Sequence, residues 1–468
     1  MISRDLTLIA ALILFTFFPR GSGAQSPQNN FPPLTPDSRA VEFARLGAGG
    51  SWEDLAEAAL WASALGMDTQ ASLTSRGSPD LRASQMDTLR QAVEELRAEC
   101  TGMDAKARGD YILSYMHRKF LRAYSARQTR LDTLFSNGRY NCVSSAVLYL
   151  VLAISQDLDV RGVATRDHAF AIVNQGDTSW DVETTNLYGF DPGNRREFHD
   201  QFGQLTGFAY VPARNYRDRI TLSPLELISL ILHNHIADLE RGGRYDLAVP
   251  LALTRASLLA GRKTSAVSDF FADPGQDLRE RILNYGASLL NAGKEEEGLR
   301  WAVYAGPSFA AAAGQEDPRW QNYINVLASN RTVKLCRAGR FTEARGFLAD
   351  NSSLLDSAEY RKLETIIADT EFTALVNGVK QAADAAAVIA RLDEAESAGL
   401  LPVSRARELR NHLSLWLATD FHNRFAAAFN RRDYSLAQGI LDEGLAEFPN
   451  DRRLLGDRGT LERALAPR

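Results

Sequence analysis

Three residues of this chain have the types, order and spacing that nucleophilic thiol chemistry needs: Cys142, His168 and Glu183. Such chemistry requires a thiolate, a base that shares its proton, and a third group that orients the base. Cys142 follows the polar turn Asn137-Gly138-Arg139-Tyr140-Asn141. It opens a run in which Val143, Ala146, Val147, Leu150, Val151 and Ile154 recur at helical spacing. The pattern predicts an amphipathic helix beginning at about Cys142, whose N-terminal partial charge favours a thiolate. His168 begins a strand-like stretch, 168–174, and shares a face with Phe170 and Ile172. A second stretch, 179–184, carries Glu183, and pairing the two across Gln175-Gly176-Asp177-Thr178 sets its carboxylate beside the imidazole. Asp181 shares that face and is the alternative acid. For an oxyanion the Cys142 backbone N–H is the natural donor, with the side chain of Asn141 or Asn137 as candidates for a second.

The elements that must hold these groups follow from the periodicity on either side. Residues 160–165 add a first strand, so one helix leads into a small antiparallel sheet. Upstream, 39–66 and 85–123 carry helix-like spacing, separated by the turn-prone segment Ser75-Arg76-Gly77-Ser78-Pro79-Asp80. Beyond Leu222 strand signals vanish and helical pairs continue to the end. The fragments at Gly243–Ala248, Gly339–Ala344 and Arg432–Ala437 share a turn, an aromatic and an alanine at fixed offsets. A weaker copy at Gly293–Gly298 implies a unit of about half the spacing between the first two. Such a turn with a small residue suits stacked helix pairs, which resemble tetratricopeptide repeats but have a longer period than the ~34 residues usual there.

Composition excludes several classes of function. Hydrophobic residues make up 45% and charged residues 24% of the 468, so most of the chain should bury a core, and the length suits about three domains. The net charge of -5 gives no basic excess for nucleic acid. Cys100, Cys142 and Cys336 form neither a disulfide framework nor a zinc set. His233-Asn234-His235 points its histidines to different faces of a helix, and Gly47-Ala48-Gly49-Gly50 follows no strand, so neither a metal, a phosphate cradle nor a cofactor is expected. Leu6 to Phe18 is apolar, shorter than the ~20 residues of a membrane span, and followed by the small residues Ser22 and Ala24. It reads as a secretory signal cut near Ala24, giving a periplasmic or extracellular chain with no span in its mature form.

The strings GRYNCVSSAVLYLVLA, DHAFAIV and WDVETTNLYGFDPG, in this order, resemble the transglutaminase-like superfamily. Its core runs from a helix-capping cysteine to a histidine strand and then an acidic strand. The family's common W-x-x-x-D-P-T is here Trp180-Asp181-Val182-Glu183-Thr184-Thr185, one residue shorter and with glutamate in the acidic slot. N-C-V-S and E-T-T are similar to strings of a bacterial exported branch in which such a core precedes helical repeats. The resemblance covers roughly residues 105–215 and implies a papain-like fold, with acyl transfer from an amide through a thioester.

The expected architecture is thus α+β: a papain/transglutaminase-like core of a helix packed on a small antiparallel sheet, then an all-α helical-repeat domain. Its segments are a signal (1–24), a flexible linker (25–38), an N-terminal helical segment (39–84), the transglutaminase-like domain (85–218) and the repeats (219–468). The function expected is cleavage or transfer of a peptide or glutaminyl amide, with the repeats holding a protein or peptide substrate or a protein partner. The alternative is a catalytically silent scaffold that binds partners through its repeats.

Overall fold

The computed structural model describes residues 31–46, 50–65, 79–165, 168–193, 219–260, 273–312 and 317–466. The expected signal, Gly47–Gly49 and most of the stretch between β5 and β6 below lie outside these residues. In chain order the described elements are α1 (Ser38–Ala44), α2 (Trp52–Ala64), α3 (Pro79–Glu99), α4 (Ala105–Lys119), β1 (Ala123–Tyr124), α5 (Leu131–Asn137), β2 (Arg139–Tyr140), α6 (Cys142–Ile154), β3 (Asp159–Ala164), β4 (Ala169–Gln175), β5 (Thr178–Val182) and β6 (Ile220–Leu222). Helices alone follow: α7 (Pro224–Arg241), α8 (Tyr245–Leu258), α9 (Pro274–Asn291), α10 (Glu295–Ala311), α11 (Pro318–Arg337), α12 (Phe341–Asp350), α13 (Ser357–Asn377), α14 (Ala382–Ser397), α15 (Val403–Asn430), α16 (Tyr434–Glu447) and α17 (Arg452–Leu465). The described chain is therefore mostly helical with a small antiparallel sheet, an α+β arrangement.

Helix α6 is the centre of the first half. The sequence predicts one apolar stripe, yet Ser144, Ser145, Leu148, Tyr149 and Leu152 are buried as well. A helix enclosed on all sides needs apolar residues all round. β3 and β4 cover one side, and α2, α4 and α7 cover the rest. Its polar side chains find partners: Tyr149 donates to the Gly109 carbonyl at 3.1 Å, and Ser144 to that of Gln128 at 3.1 Å. Both groups would otherwise carry the cost of burial without a hydrogen bond.

The sheet has the order β5-β4-β3-β6, all antiparallel. Gln175 pairs with Thr178, so the expected hairpin closes on Gly176-Asp177, with Gly176 at φ 57°. A glycine at positive φ suits the two-residue turns whose twist matches that of paired strands.

Two expected boundaries do not mark breaks in packing. The boundary at 84/85 falls inside α3, and α2 packs directly on α6 and α7. The boundary at 218/219 lies just ahead of β6, which pairs with β3, while α7 packs on α6. One continuous apolar core accordingly runs from Ala40 through the sheet to Leu327. The described end of the expected linker is strapped down: Phe31 packs against Trp301 and Tyr304, and the Asp37 N–H donates to Thr254 at 3.0 Å. Two apolar rings meeting outweigh the freedom that a Pro-rich composition suggests.

The helical pairs carry a recurring turn. Gly243, Gly293, Gly339 and Arg432 all sit at φ between 63° and 72°, each two residues before a helix begins. Five residues after each lies a buried small residue, Ala248, Gly298, Ala344 or Ala437. The first three turns mark units of roughly 50 residues, each helix packing mainly on its neighbours. Among the described residues no helix is long and apolar enough to cross a membrane.

One close approach links α4 to the sheet's far edge. A Cβ on Gly109 would lie 2.4 Å from the ring of Phe190, which is fully buried and bridges to Val182. Gly109→Val is therefore expected to destabilise the protein by about 1–3 kcal/mol through overpacking, read as a lower urea midpoint at unchanged slope.

Candidate active site

The cysteine is set by the turn before it. β1 and β2 pair in parallel, Tyr124 opposite Tyr140, and bring the chain to Asn141. Asn141 caps α6: its side-chain oxygen accepts from the N–H groups of Val143 and Ser144 at 3.0 Å, while Ser144 Oγ accepts from its backbone N–H. This capping box satisfies the following N–H groups of the first turn and leaves over that of Cys142, at the first helical position. Cys142 is half-buried, and its sulfur lies near enough to His168 to favour charge on the imidazole.

His168 stands immediately before β4, with its carbonyl accepting from the Thr165 N–H at 2.8 Å and its ring stacked near Phe170. Its Nε2 lies 2.6 Å from Glu183 Oε2. With Nε2 taken by the carboxylate, Nδ1 is the ring nitrogen through which the imidazole could exchange a proton with the thiol. The other carboxylate oxygen, Oε1, accepts from the Thr185 hydroxyl at 2.7 Å and from the Thr185 N–H at 3.3 Å. Glu183 is 2% and His168 8% exposed, so the pair is removed from water. Burial opposes charge on His168, but the Glu183 carboxylate and the Cys142 sulfur together hold its pKa well above the ordinary imidazole value.

The remaining candidates have other partners. Asp181 makes a two-pronged pair with Arg219, at 2.7 and 3.1 Å, so it pins β5 to the residue before β6 rather than orienting the imidazole. Asn141 donates from its amide to the Ala126 carbonyl at 3.1 Å, and Asn137 accepts from the Arg139 N–H at 2.9 Å. Both help to shape the turn, Asn141 through its oxygen and an amide hydrogen, Asn137 through its oxygen alone. His233 approaches Asp277 at 3.9 Å, whereas His235 lies in the field of Arg130 and Asp132, so the two face different neighbours. Cys100 and Cys336 are buried, and burial pushes both thiols up.

Sequence reasoning missed the groups around the acid. Glu183 lies beyond the end of β5, and its N–H donates to the Gly189 carbonyl at 2.8 Å. A Cβ on Gly189 would meet the Glu183 carbonyl oxygen at 1.9 Å, so only glycine closes this loop. The sole signal was a glycine six residues past the acid. Ser145 and Thr184 share a hydroxyl contact at 2.8 Å, tying α6 to the same loop. Tyr124 and Tyr140 pack edge to face, with Tyr124 in the field of Cys142. Burial, then the charges of Cys142 and Glu183, raise Tyr124; burial pushes Tyr140 up to about 12.

Comparison with protein-family models, with curated proteins and with solved structures finds no match to this chain. The chemistry must be argued from the geometry itself.

That geometry defines a reactivity order. Iodoacetamide at pH 7 should label Cys142 well ahead of Cys100 and Cys336, and His168→Ala should slow that labelling by roughly tenfold or more, as loss of a thiolate partner requires. Because the folded-state pKa of His168 lies above its ordinary 6.5, the pair's contribution to stability is complete below that value. It is lost as pH rises through the raised value. Glu183→Gln should therefore move the titration of the His168 ring nitrogens to lower pH, as followed by NMR.

Proposed function

We propose that this protein is an exported transglutaminase-like thiol enzyme that cleaves or transfers a peptide or glutaminyl amide bond through a cysteine thioester. In this reading the enclosed helix and its sheet form a papain-like core, and the helical pairs hold the protein or peptide substrate or a partner. The observation that carries it is the buried His168–Glu183 pair at 2.6 Å, with Cys142 beside it at the start of a buried helix.

The mechanism follows from the charge each group holds. Cys142 Sγ, as the thiolate, attacks the amide carbonyl carbon, and the negative oxygen that forms turns to the Cys142 N–H left over by the cap. The His168 imidazolium gives its proton to the leaving nitrogen, so the C–N bond breaks as the C=O bond re-forms, leaving the acyl group on sulfur as a thioester. Neutral His168 then takes a proton from water, whose oxygen attacks the thioester and returns the thiolate. An amine in place of that water gives transfer. Glu183 keeps the imidazole in the orientation and tautomer that serve both steps.

The second reading, a silent scaffold, draws on a different observation. An open cavity of about 470 Å³ lies between α10, α11 and α12, lined by Leu299, Val303, Phe347, Arg300 and Glu343 among others. Such a groove suits a peptide whether or not the thiol acts.

A search of exported proteins and peptides with the wild type and with Cys142→Ala separates the two. New termini or new amide links that need Cys142 support the enzyme; equal binding with no covalent change sinks it. Once a substrate is in hand, Glu183→Gln should lower kcat by about 10²- to 10⁴-fold. Asp181→Asn should stay within about threefold of wild type, since its partner is Arg219 and not the imidazole.

A further inference from the structure

We infer that His117, acting together with Tyr140, is a positioning residue that fixes the loop carrying Glu183 against His168; this rests on the thiol-enzyme reading above. β5 ends at Val182, so no strand ladder continues through Glu183 to hold it. Two rings from outside the loop grip the residues that follow. His117, on α4, places Nε2 at 3.1 Å from the Thr184 carbonyl oxygen. Tyr140, on β2, donates its hydroxyl to the Thr185 carbonyl at 3.2 Å. The rings meet edge to face, centroids 6.1 Å apart and planes at 90°, so each limits the movement of the other. Thr185 is the residue whose hydroxyl and N–H hold Glu183 Oε1. The grip thus reaches the carboxylate through one intervening residue.

A carbonyl oxygen only accepts, so His117 Nε2 carries its proton. The groups facing the ring are the Thr184 carbonyl, the Glu183 carboxylate and the Tyr140 ring. Burial outweighs the first two and lowers the His117 pKa to about 4. The ring is therefore neutral wherever the thiolate pair would work. A charged imidazolium there would compete with His168 for the field of Glu183; a neutral donor holds the loop and leaves that charge to His168. Tyr140 has the same property, being a donor that stays protonated up to about 12.

The test uses the full chain with three variants. His117→Phe keeps a ring and removes the donor, His117→Gln returns an N–H near the same place, and Tyr140→Phe removes one hydroxyl. The readouts are the pH-dependent rate of Cys142 alkylation by iodoacetamide, the His168 ring titration by NMR, and thermal unfolding. His117→Phe should slow alkylation at pH 7 by roughly threefold to tenfold, less than His168→Ala does, and move the His168 titration to lower pH, with His117→Gln restoring both, since a small misplacement of the orienting acid is enough. Tyr140→Phe should shift both in the same direction by less. Folded His117→Phe with wild-type alkylation and titration would overturn the inference. If His117→Phe does not fold, Tyr140→Phe decides, an unchanged His168 titration counting against the grip. The underlying reading fails separately: in that case His168→Ala leaves wild-type alkylation untouched. A response to His168→Ala without a response to His117→Phe removes only the role given to His117.

Discussion

The 2.6 Å contact between His168 and Glu183 sets the terms for the first half of the molecule. A carboxylate at 2% exposure is expensive unless its oxygens are satisfied and its charge is matched. Both conditions are met by groups from separate places: an imidazole before β4, and a hydroxyl and N–H two residues beyond the acid itself. The hairpin fixes the distance between the two strands, but neither residue lies within the ladder. The loop after β5 must therefore be held by its own closures, through Gly189, Ser145, His117 and Tyr140. Removing one member of the pair leaves the other buried without its match, so these closures and the pair depend on each other.

The same demand for rigidity explains why the core does not stop at the sheet. α7 packs on α6 and β3, α8 and α9 follow in sequence, and the apolar contacts continue to Leu327. The strap from Phe31 to Asp37 closes back onto α8 and α10. A shift of the first helical pairs would therefore be felt by the helix that presents Cys142. The later pairs rest on separate, smaller cores, around Leu363, Leu392 and Leu441, where each helix sees mainly its neighbours. The array is thus anchored at one end to the thiol-bearing unit and becomes progressively more local toward the other.

What the sequence made legible is what local rules govern. The start of α6 was readable because a polar turn precedes it and the apolar period begins just after Cys142; the hairpin, because Gly176-Asp177 sits between two strand-like runs; the repeat turns, because a turn, an aromatic and a small residue recur at constant offsets. What was not legible depends on contacts distant in sequence. β6 is three residues long and gains its identity only by pairing with β3. The strap looked like a tether because nothing near Phe31 in sequence announces Trp301. His117 sat unnoticed in the helical pattern of α4, since its partner is a backbone carbonyl sixty-seven residues away. The local turn contacts of Asn141 and Asn137 follow the habit of short polar side chains next to backbone amides.

Burial along the candidate relay runs in the direction that the proposed chemistry needs. Cys142 is half-buried, His168 is buried at one remove, and Glu183 is deepest. A nucleophile has to meet a substrate, whereas an orienting carboxylate exposed to water would lose most of its influence, because its field on the imidazole falls as the local dielectric rises. The other two cysteines make the contrast. Cys100 and Cys336 are buried at the end of one helix and near the end of another, and burial raises their thiols without a histidine to offset it. Three thiols in one chain thus behave as two kinds: two small apolar residues of the core, and one set where a helix end, an imidazole and a sequestered carboxylate converge.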